Sequence, residues 1–330
     1  MTAPTGPRTA FVTGATGQDG SYLVERLVAE GVEVHALVRP RPDRDAPGAQ
    51  GVGLPPSVVV HEADLRDTDR VRDLLADVRP DEVYNLAGQS SVAASWEHPV
   101  DTGASTGLGA VALFDAARRV QEASGREVRV VQASSAEIFG DPDRTPQDET
   151  TALRPLNPYA AAKAYAHHSA RILRARGLHL SACVLYNHES PRRPERFVTR
   201  KITRAAARIA VEGRGTLALG RLDVRRDWGW APDYVDAMVR AARHPTADEY
   251  VVATGRTHSV EDLVRVAFEH AGVEDWRAHV VVDPAFVRPA EAATQVGDPS
   301  HARDALGWTP SVGFEEIVAR MVDHDLRLLG

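Results

Sequence analysis

Apolar residues along the chain fall into short runs closed by small or polar residues, and these runs alternate with amphipathic stretches of helical period. Thr9-Ala10-Phe11-Val12-Thr13 predicts a strand that runs straight into Gly14-Ala15-Thr16-Gly17-Gln18-Asp19-Gly20 and then a helix from Ser21 to Glu30. Further strands are expected at Val32 to Val38, Val58 to Ala63, Asp81 to Leu86, Val128 to Ala133 and Leu180 to Tyr186. A long helix from about Thr106 to Ala123 precedes the Val128 strand, and another carries Tyr159 and Lys163. Alternation at this spacing predicts an α/β fold with a doubly wound parallel sheet. Residues 40 to 57, rich in Pro, Gly and Asp, read as a long loop with a function of its own.

Strand, glycine-rich turn and helix form the setting in which a Rossmann-type sheet binds a dinucleotide. Glycines at 14, 17 and 20 allow a tight turn and close approach of backbone to pyrophosphate, with the helix N-terminus facing the anion. The second strand ends in Arg39, where an NAD site presents an acidic residue to the ribose; a guanidinium suits a 2′-phosphate, so NADP is preferred. Asp64-Leu65 closes the third strand with a carboxylate placed to meet an adenine amino group. The fourth leads through Leu86 into Ala87-Gly88-Gln89-Ser90-Ser91, small and polar enough for a cofactor to pass closely.

Composition narrows the classes. At 330 residues, 26% charged and 43% hydrophobic, the chain has the profile of a soluble two-lobed enzyme. A formal net charge of −7 lacks the electrostatic footprint of a nucleic-acid binder. No apolar run approaches membrane-spanning length and the first residues lack a signal peptide's apolar core, so the expected compartment is the cytoplasm. Cys183, the single cysteine, makes no internal disulfide or cysteine metal cluster. The 13 histidines show no ligand spacing, no metal is expected, and the adjacent pair His167-His168 reads as surface.

Chemistry concentrates in two stretches. Ser134-Ser135-Ala136-Glu137 delivers hydroxyls and a carboxylate at the end of the Val128 strand. Tyr159 and Lys163 share a helix face through their spacing of four, so the ammonium is expected to lower the phenol pKa and make Tyr159 a usable base. Lys163 and Lys201 are the only lysines, which points to positions that require a compact ammonium. After Tyr186 the chain becomes arginine-dense, with clusters at Arg192-Arg193, Arg225-Arg226 and Arg288. Together they suit a lobe that receives a diphosphate and a sugar. Residues 1–185 plus about 226–250 are assigned to an NADP-binding domain. About 186–225 plus 251–330 are expected to form a smaller mixed α/β lobe suited to that diphosphate and sugar.

Several motifs converge on one family. Gly-x-Thr-Gly-Gln-Asp-Gly at 14–20, Asn-His-Glu-Ser-Pro-Arg-Arg at 187–193, Phe-Val-Thr-Arg-Lys-Ile at 197–202, Arg-Asp-Trp-Gly at 226–229, Arg-Pro-Ala-Glu at 288–291 and Gly-Asp-Pro at 297–299 are the ones that carry it. With them the chain resembles the extended short-chain dehydrogenase/reductases, and within these the GDP-mannose 4,6-dehydratases, from Phe11 to about Pro310. The resemblance implies catalytic roles for Ser135, Glu137, Tyr159 and Lys163. It implies cofactor contacts at Gly14, Thr16, Gly17, Gln18, Asp19, Arg39, Asp64, Leu65, Leu86, Gly88, Gln89, Ser90, Tyr159, Lys163, His188 and Arg193. Nucleotide-sugar contacts are implied at Asn187, Val198, Lys201, Arg226, Arg288 and Glu291, with Leu219 beside the base.

The implied reaction turns GDP-mannose into GDP-4-keto-6-deoxymannose. Tyr159 takes the O4 proton as C4 gives up hydride, Glu137 takes the C5 proton and assists loss of water from C6, and Ser135 hydrogen-bonds O4. A GDP-sugar epimerase, a 4-ketosugar reductase or a non-catalytic NADP sensor remain as alternatives on this scaffold. Departures from the family pattern are Ala136 and Phe139 in place of hydroxyl-bearing residues, Asp101 for a tyrosine near the cofactor, and Arg221 for an asparagine beside the nucleotide. The loop after Arg39 is Pro-rich where the family's reaches a neighbouring subunit, leaving a homodimer or homotetramer as the expected assembly.

Overall fold

A computed structural model describes residues 8–40, 53–286 and 292–329. Strand β1 (Thr9–Thr13) passes through the glycine turn into α1 (Gln18–Ala29), followed by β2 (Glu33–Val38), β3 (Val59–Glu62), α2 (Thr68–Val78) and β4 (Glu82–Asn85). Helical turns follow almost without a break: α3 (Val92–Glu97), α4 (Pro99–Thr102), a π-helical turn at Gly103–Leu108, and α5 (Gly109–Ser124). Then come β5 (Arg129–Ala133), α6 (Pro158–Arg174), β6 (His179–Leu185), β7 (Asn187–Glu189), α7 (Val198–Glu212) and β8 (Leu217–Leu219). β9 (Arg225–Arg226), β10 (Trp228–Trp230), α8 (Ala231–Arg243), β11 (Glu249–Val252), β12 (His258–Ser259) and α9 (Val260–His270) continue the order. It closes with β13 (Val280–Val282), β14 (Thr294–Gln295), α10 (Ser300–Leu306) and α11 (Phe314–Leu329).

Seven parallel strands build the main sheet in the order β11-β6-β5-β4-β1-β2-β3. The expected doubly wound sheet is present, and β11 adds an edge strand that the sequence pattern does not single out. Successive strand residues point to opposite faces, and the two apolar clusters sort accordingly. Val12, Tyr84 and Val131 pack with Leu23 and Leu27 of α1 and Met238 of α8; Phe11, Val83 and Val130 pack with Leu74 of α2, Phe114 of α5 and Ala166 of α6. Each large aliphatic or phenylalanine side chain among these contributes about 1.5–3 kcal/mol on burial, so the layers are held by their apolar faces. A third cluster, with Ile202, Leu219, Phe268 and Val322, makes the core of the smaller lobe from α7, β8, α9 and α11.

Order in the sheet reverses between β1 and β4, and the crevice above their C-terminal ends is where such sheets bind ligands. Two boundaries there differ from expectation. α1 begins at Gln18 instead of Ser21, because the turn is tighter than predicted: a Cβ on Gly20 would lie 2.2 Å from the Gly14 carbonyl oxygen. The helix expected from Thr106 starts instead as the π-helical turn, and a Cβ on Gly109 would lie 2.9 Å from Leu65 Cγ, so glycine lets this helix approach the end of β3.

Candidate active site

Four polar side chains converge beyond the ends of β5 and α6. After Ala133 the chain makes a 3-10 turn, Ala136–Phe139, that buries Ala136, Ile138 and Phe139 and leaves Ser135 and Glu137 partly exposed toward the crevice. The residues that depart from the family pattern at 136 and 139 are therefore core residues. Ser135 Oγ accepts from Glu137 N–H at 3.3 Å, so it caps the turn, and it lies near enough to the Tyr159 phenol to favour its ionised form. Asn157 Nδ2 donates to Glu137 Oε2 at 3.0 Å, while Asn157 Oδ1 caps α6 at Ala160 N–H.

The Tyr159–Lys163 relation corrects a sequence expectation. Both residues share the buried face of α6, but Lys163 Nζ donates to the Ala133 carbonyl at 2.6 Å and stands 5.9 Å from the centre of the Tyr159 ring. Burial pushes the phenol up to about 12; Ser135 and Arg193 work against this, and the charges of Glu137 and Asp19 add to it. Lys163 is itself brought down to about 8 by burial, with Asp19 opposing. The ammonium is held at the strand end, and burial leaves the phenol above its ordinary value.

The glycine turn lies across the crevice. A Cβ on Gly14 would meet Leu86 and Ala87 backbone at 2.8 Å, so only glycine lets β1 pass so close to the end of β4. Gly17, at the α1 N-cap, offers no side chain to the first helical N–H groups, and a Cβ there would touch only the Gly14 oxygen, at 3.2 Å. That open, uncapped helix start fits a dinucleotide's pyrophosphate. Gln18 and Asp19 tie the turn to β7: Gln18 Nε2 donates to the His188 carbonyl at 3.0 Å, and Asp19 Oδ2 lies 2.8 Å from His188 Nε2. His188 stacks on Tyr234 with ring centres 4.6 Å apart. Burial alone would lower its pKa, but the Asp19 carboxylate raises it overall.

Along the other wall, Gln89 N–H donates to Thr106 Oγ1 at 3.1 Å and Gln89 Nε2 to the Ser91 carbonyl at 2.7 Å, which anchors the run from Leu86 through Gly88 and Ser90 on the π-helical turn. Thr16 sits half-buried in the glycine turn, and Leu65 is buried beside Gly109. Asp64 is engaged: Arg66 Nε and Nη2 grip its carboxylate at 3.0 and 2.9 Å, and Arg66 Nη1 reaches Asp101 at 3.1 Å. The aspartate at 101 thus extends a clamp on the residue expected to meet adenine. Arg39 is exposed at the end of β2. Arg196 lies near enough to Arg193 and Arg39 that, after burial, their charges lower its pKa. Arg193 pairs with Glu189 at 3.2 Å and stacks 3.8 Å over Phe197.

In the smaller lobe, Lys201 Nζ donates to the Ala218 carbonyl at 2.7 Å and lies 3.8 Å from the Phe286 ring centre. Val198 packs against the cluster that buries Leu219, and Asn187 opens β7 opposite Trp228. Arg226 is buried, with Nη1 donating to the carbonyls of Arg225 and Ala292. Arg221 grips Asp223 through two hydrogen bonds. Arg288 and Glu291 lie outside the described residues.

Sequence reasoning missed the polar frame beneath these groups. Thr13 Oγ1 donates to Asn85 Oδ1, and Asn85 Nδ2 to Gln132 Oε1, both at 2.7 Å, across the ends of β1, β4 and β5. It also misplaced His167, which is buried and not on the surface, because the inward face of α6 runs through Tyr159, Lys163 and His167 while His168 turns outward. Among the described residues no helix is long and apolar enough to cross a membrane, and no cluster of His, Cys, Asp and Glu is arranged to hold a metal.

A family model described as GDP-mannose 4,6 dehydratase matches residues 11–321. This chain belongs to the GDP-mannose 4,6-dehydratase family. It is 45% identical over 326 residues to GDP-mannose 4,6 dehydratase 2 of Arabidopsis thaliana, covering 97% of this chain and 87% of the relative. Among solved structures it resembles UDP-glucose 4-epimerase of Thermus thermophilus in complex with NAD, with TM-score 0.82, 30% identity and coverage of 96% and 98% of the two chains. It also resembles RMD of Pseudomonas aeruginosa complexed with NADPH, with TM-score 0.80, 26% identity and coverage of 98% and 100%. The chain is accordingly a nucleotide-sugar dehydratase, a hydro-lyase, on a fold that holds a nicotinamide cofactor.

Proposed function

We propose that the protein converts GDP-mannose to GDP-4-keto-6-deoxymannose with tightly held NADP. The observation that carries this reading is Glu137, a carboxylate fixed by Asn157 at the strand end that also bears Ser135, facing the Tyr159 phenol. NADP, which the glycine turn and Arg39 would hold, would supply the acceptor for hydride from C4 and the donor of hydride to C6. Tyr159 removes the O4 proton, and Ser135 donates a hydrogen bond to O4 and steadies the developing ketone. The 4-ketone acidifies C5; Glu137 takes that proton and passes it to the C6 hydroxyl as it leaves as water, and once C6 is reduced C5 takes a proton from solvent while Tyr159 gives up to solvent the proton it took from O4. An epimerase or ketoreductase needs the tyrosine and lysine but no carboxylate acid/base at 137.

NADP over NAD is supported by the gathering of Arg39, Arg193 and Arg196, whose mutual repulsion a 2′-phosphate would relieve. Contacts from Asn187, Val198, Lys201, Leu219, Arg226, Arg288 and Glu291 to the GDP moiety follow from the family motifs. Residues 1–185 with about 226–250 serve the cofactor, and the remainder the sugar nucleotide. Assembly as a homodimer or homotetramer is supported by Leu108, Tyr165 and Ile172, exposed apolar residues on neighbouring helical segments. We assign the enzyme to the cytoplasm. Glu137→Gln tests the reading: oxidation at C4 persists and water loss collapses, whereas unchanged dehydration removes Glu137 from the mechanism.

A further inference from the structure

Helix α6 presents three buried residues, at intervals of four, to the strand end that carries the reacting groups. Tyr159 lies close enough to Ser135 for the hydroxyl to act on its phenol, Lys163 Nζ donates to the Ala133 carbonyl at 2.6 Å, and His167 Nδ1 lies 3.3 Å from Ser134 Oγ. The other imidazole nitrogen, Nε2, lies 3.4 Å from Glu249 Oε2 on β11. Glu249 is 4% exposed and His167 3%. The same carboxylate takes Arg171 Nε at 2.9 Å and Arg174 Nη2 at 2.7 Å, both also from α6. A carboxylate can only accept, so Nε2 carries a proton; in the neutral ring Nδ1 then accepts from the Ser134 hydroxyl.

The geometry has a mechanical consequence. β11, β6 and β5 are consecutive in the sheet, and Ser134 N–H is held by the Cys183 carbonyl of β6 at 2.8 Å. A relay from Glu249 through His167 to Ser134 therefore ties the helix to the sheet at two separated strands. Rotation of α6 about its axis, which would carry the Tyr159 oxygen away from Ser135, breaks a buried and fully paired set of hydrogen bonds. A side chain of apolar character at 167 would fill the space without fixing that rotation.

We propose that His167, braced by Glu249 and bonded to Ser134, is a positioning residue for hydride transfer that holds Tyr159 in register with Ser135. The inference rests on the dehydratase reading above. The test compares the parent with His167→Phe, Ser134→Ala and the double variant, using GDP-mannose and its C4-deuterated form, with rates expressed per bound cofactor. In His167→Phe, kcat falls on the order of tenfold, KM for GDP-mannose stays within about twofold, and the deuterium isotope effect on kcat rises as hydride transfer becomes limiting. Ser134→Ala, which removes a single oxygen, reproduces the change, and the double variant is no worse than His167→Phe. An active parent with unchanged kcat and isotope effect in both single variants overturns the inference alone. So does a loss of rate at a constant isotope effect. A parent inactive on GDP-mannose overturns the functional reading and this inference with it.

Discussion

Asn157 holds Glu137 with one end of its amide and caps the helix of Tyr159 with the other, donating to the carboxylate at 3.0 Å while accepting from Ala160 N–H at 2.8 Å. One side chain thus sets the acid/base group and the base-bearing helix relative to each other. Asn157→Ala is expected to lower stability by about 1 kcal/mol through loss of the cap, seen in thermal unfolding, and to slow water loss more than C4 oxidation. Asn157→Asp keeps a capping oxygen but sets two carboxylates side by side. Stability is then largely restored while dehydration stays slow; recovery of both would reduce Asn157 to a cap.

The phenol of Tyr159 stands at about 12 because burial disfavours the phenolate, and Lys163 is spent on the Ala133 carbonyl. A positive charge brought beside the ring favours the ionised form, so the phenol titration falls in pH when oxidised cofactor binds. Ultraviolet difference titration of the parent against Tyr159→Phe, with and without NADP, measures this. An identical titration in both states would assign the base to another group.

Arg39 is expected to carry the preference for a 2′-phosphate. A charge-assisted contact contributes about 1.5–3 kcal/mol, so NADP binds more tightly than NAD by roughly tenfold or more. Arg39→Ala erases most of that difference. Equal affinities in the parent would leave Arg39 a surface residue, and the test is a pair of binding isotherms at one salt concentration.

Much of the fold and part of the site were legible in the sequence, for reasons that differ by residue. Gly14, Gly17 and Gly20 could be read because the turn needs glycine at each close approach, and Tyr159 with Lys163 because helical spacing fixes their common face. The bond each makes could not be read. Lys163 turns to a carbonyl of β5, because helix and strand end meet only in the folded sheet, while Asp64 is captured by its near neighbour Arg66, a choice of partner that residue spacing alone does not fix. Asn157 left a trace, an asparagine just before Pro158 at a helix start, which announces a cap but not a second partner. Thr13, Asn85 and Gln132 left none: each is a single polar residue at the end of its own strand, and their ladder exists only across three strands.

Arg226 is proposed to meet the diphosphate. Its side chain is buried and donates to the carbonyls of Arg225 and Ala292, so Arg226→Ala lowers the melting temperature as well as weakening GDP and GDP-mannose alike. NADP affinity is expected to stay nearly unchanged. Loss of NADP binding with intact GDP binding would move Arg226 to the cofactor side.

The central claim is an internal oxidation, elimination and reduction in one site. Purified protein carrying its own cofactor, given GDP-mannose and no added NADP or NADPH, should accumulate a 4-keto-6-deoxy product over many turnovers with no net change in nicotinamide absorbance. Absence of that product, or product formed only as added NADPH is consumed mole for mole, would contradict the account.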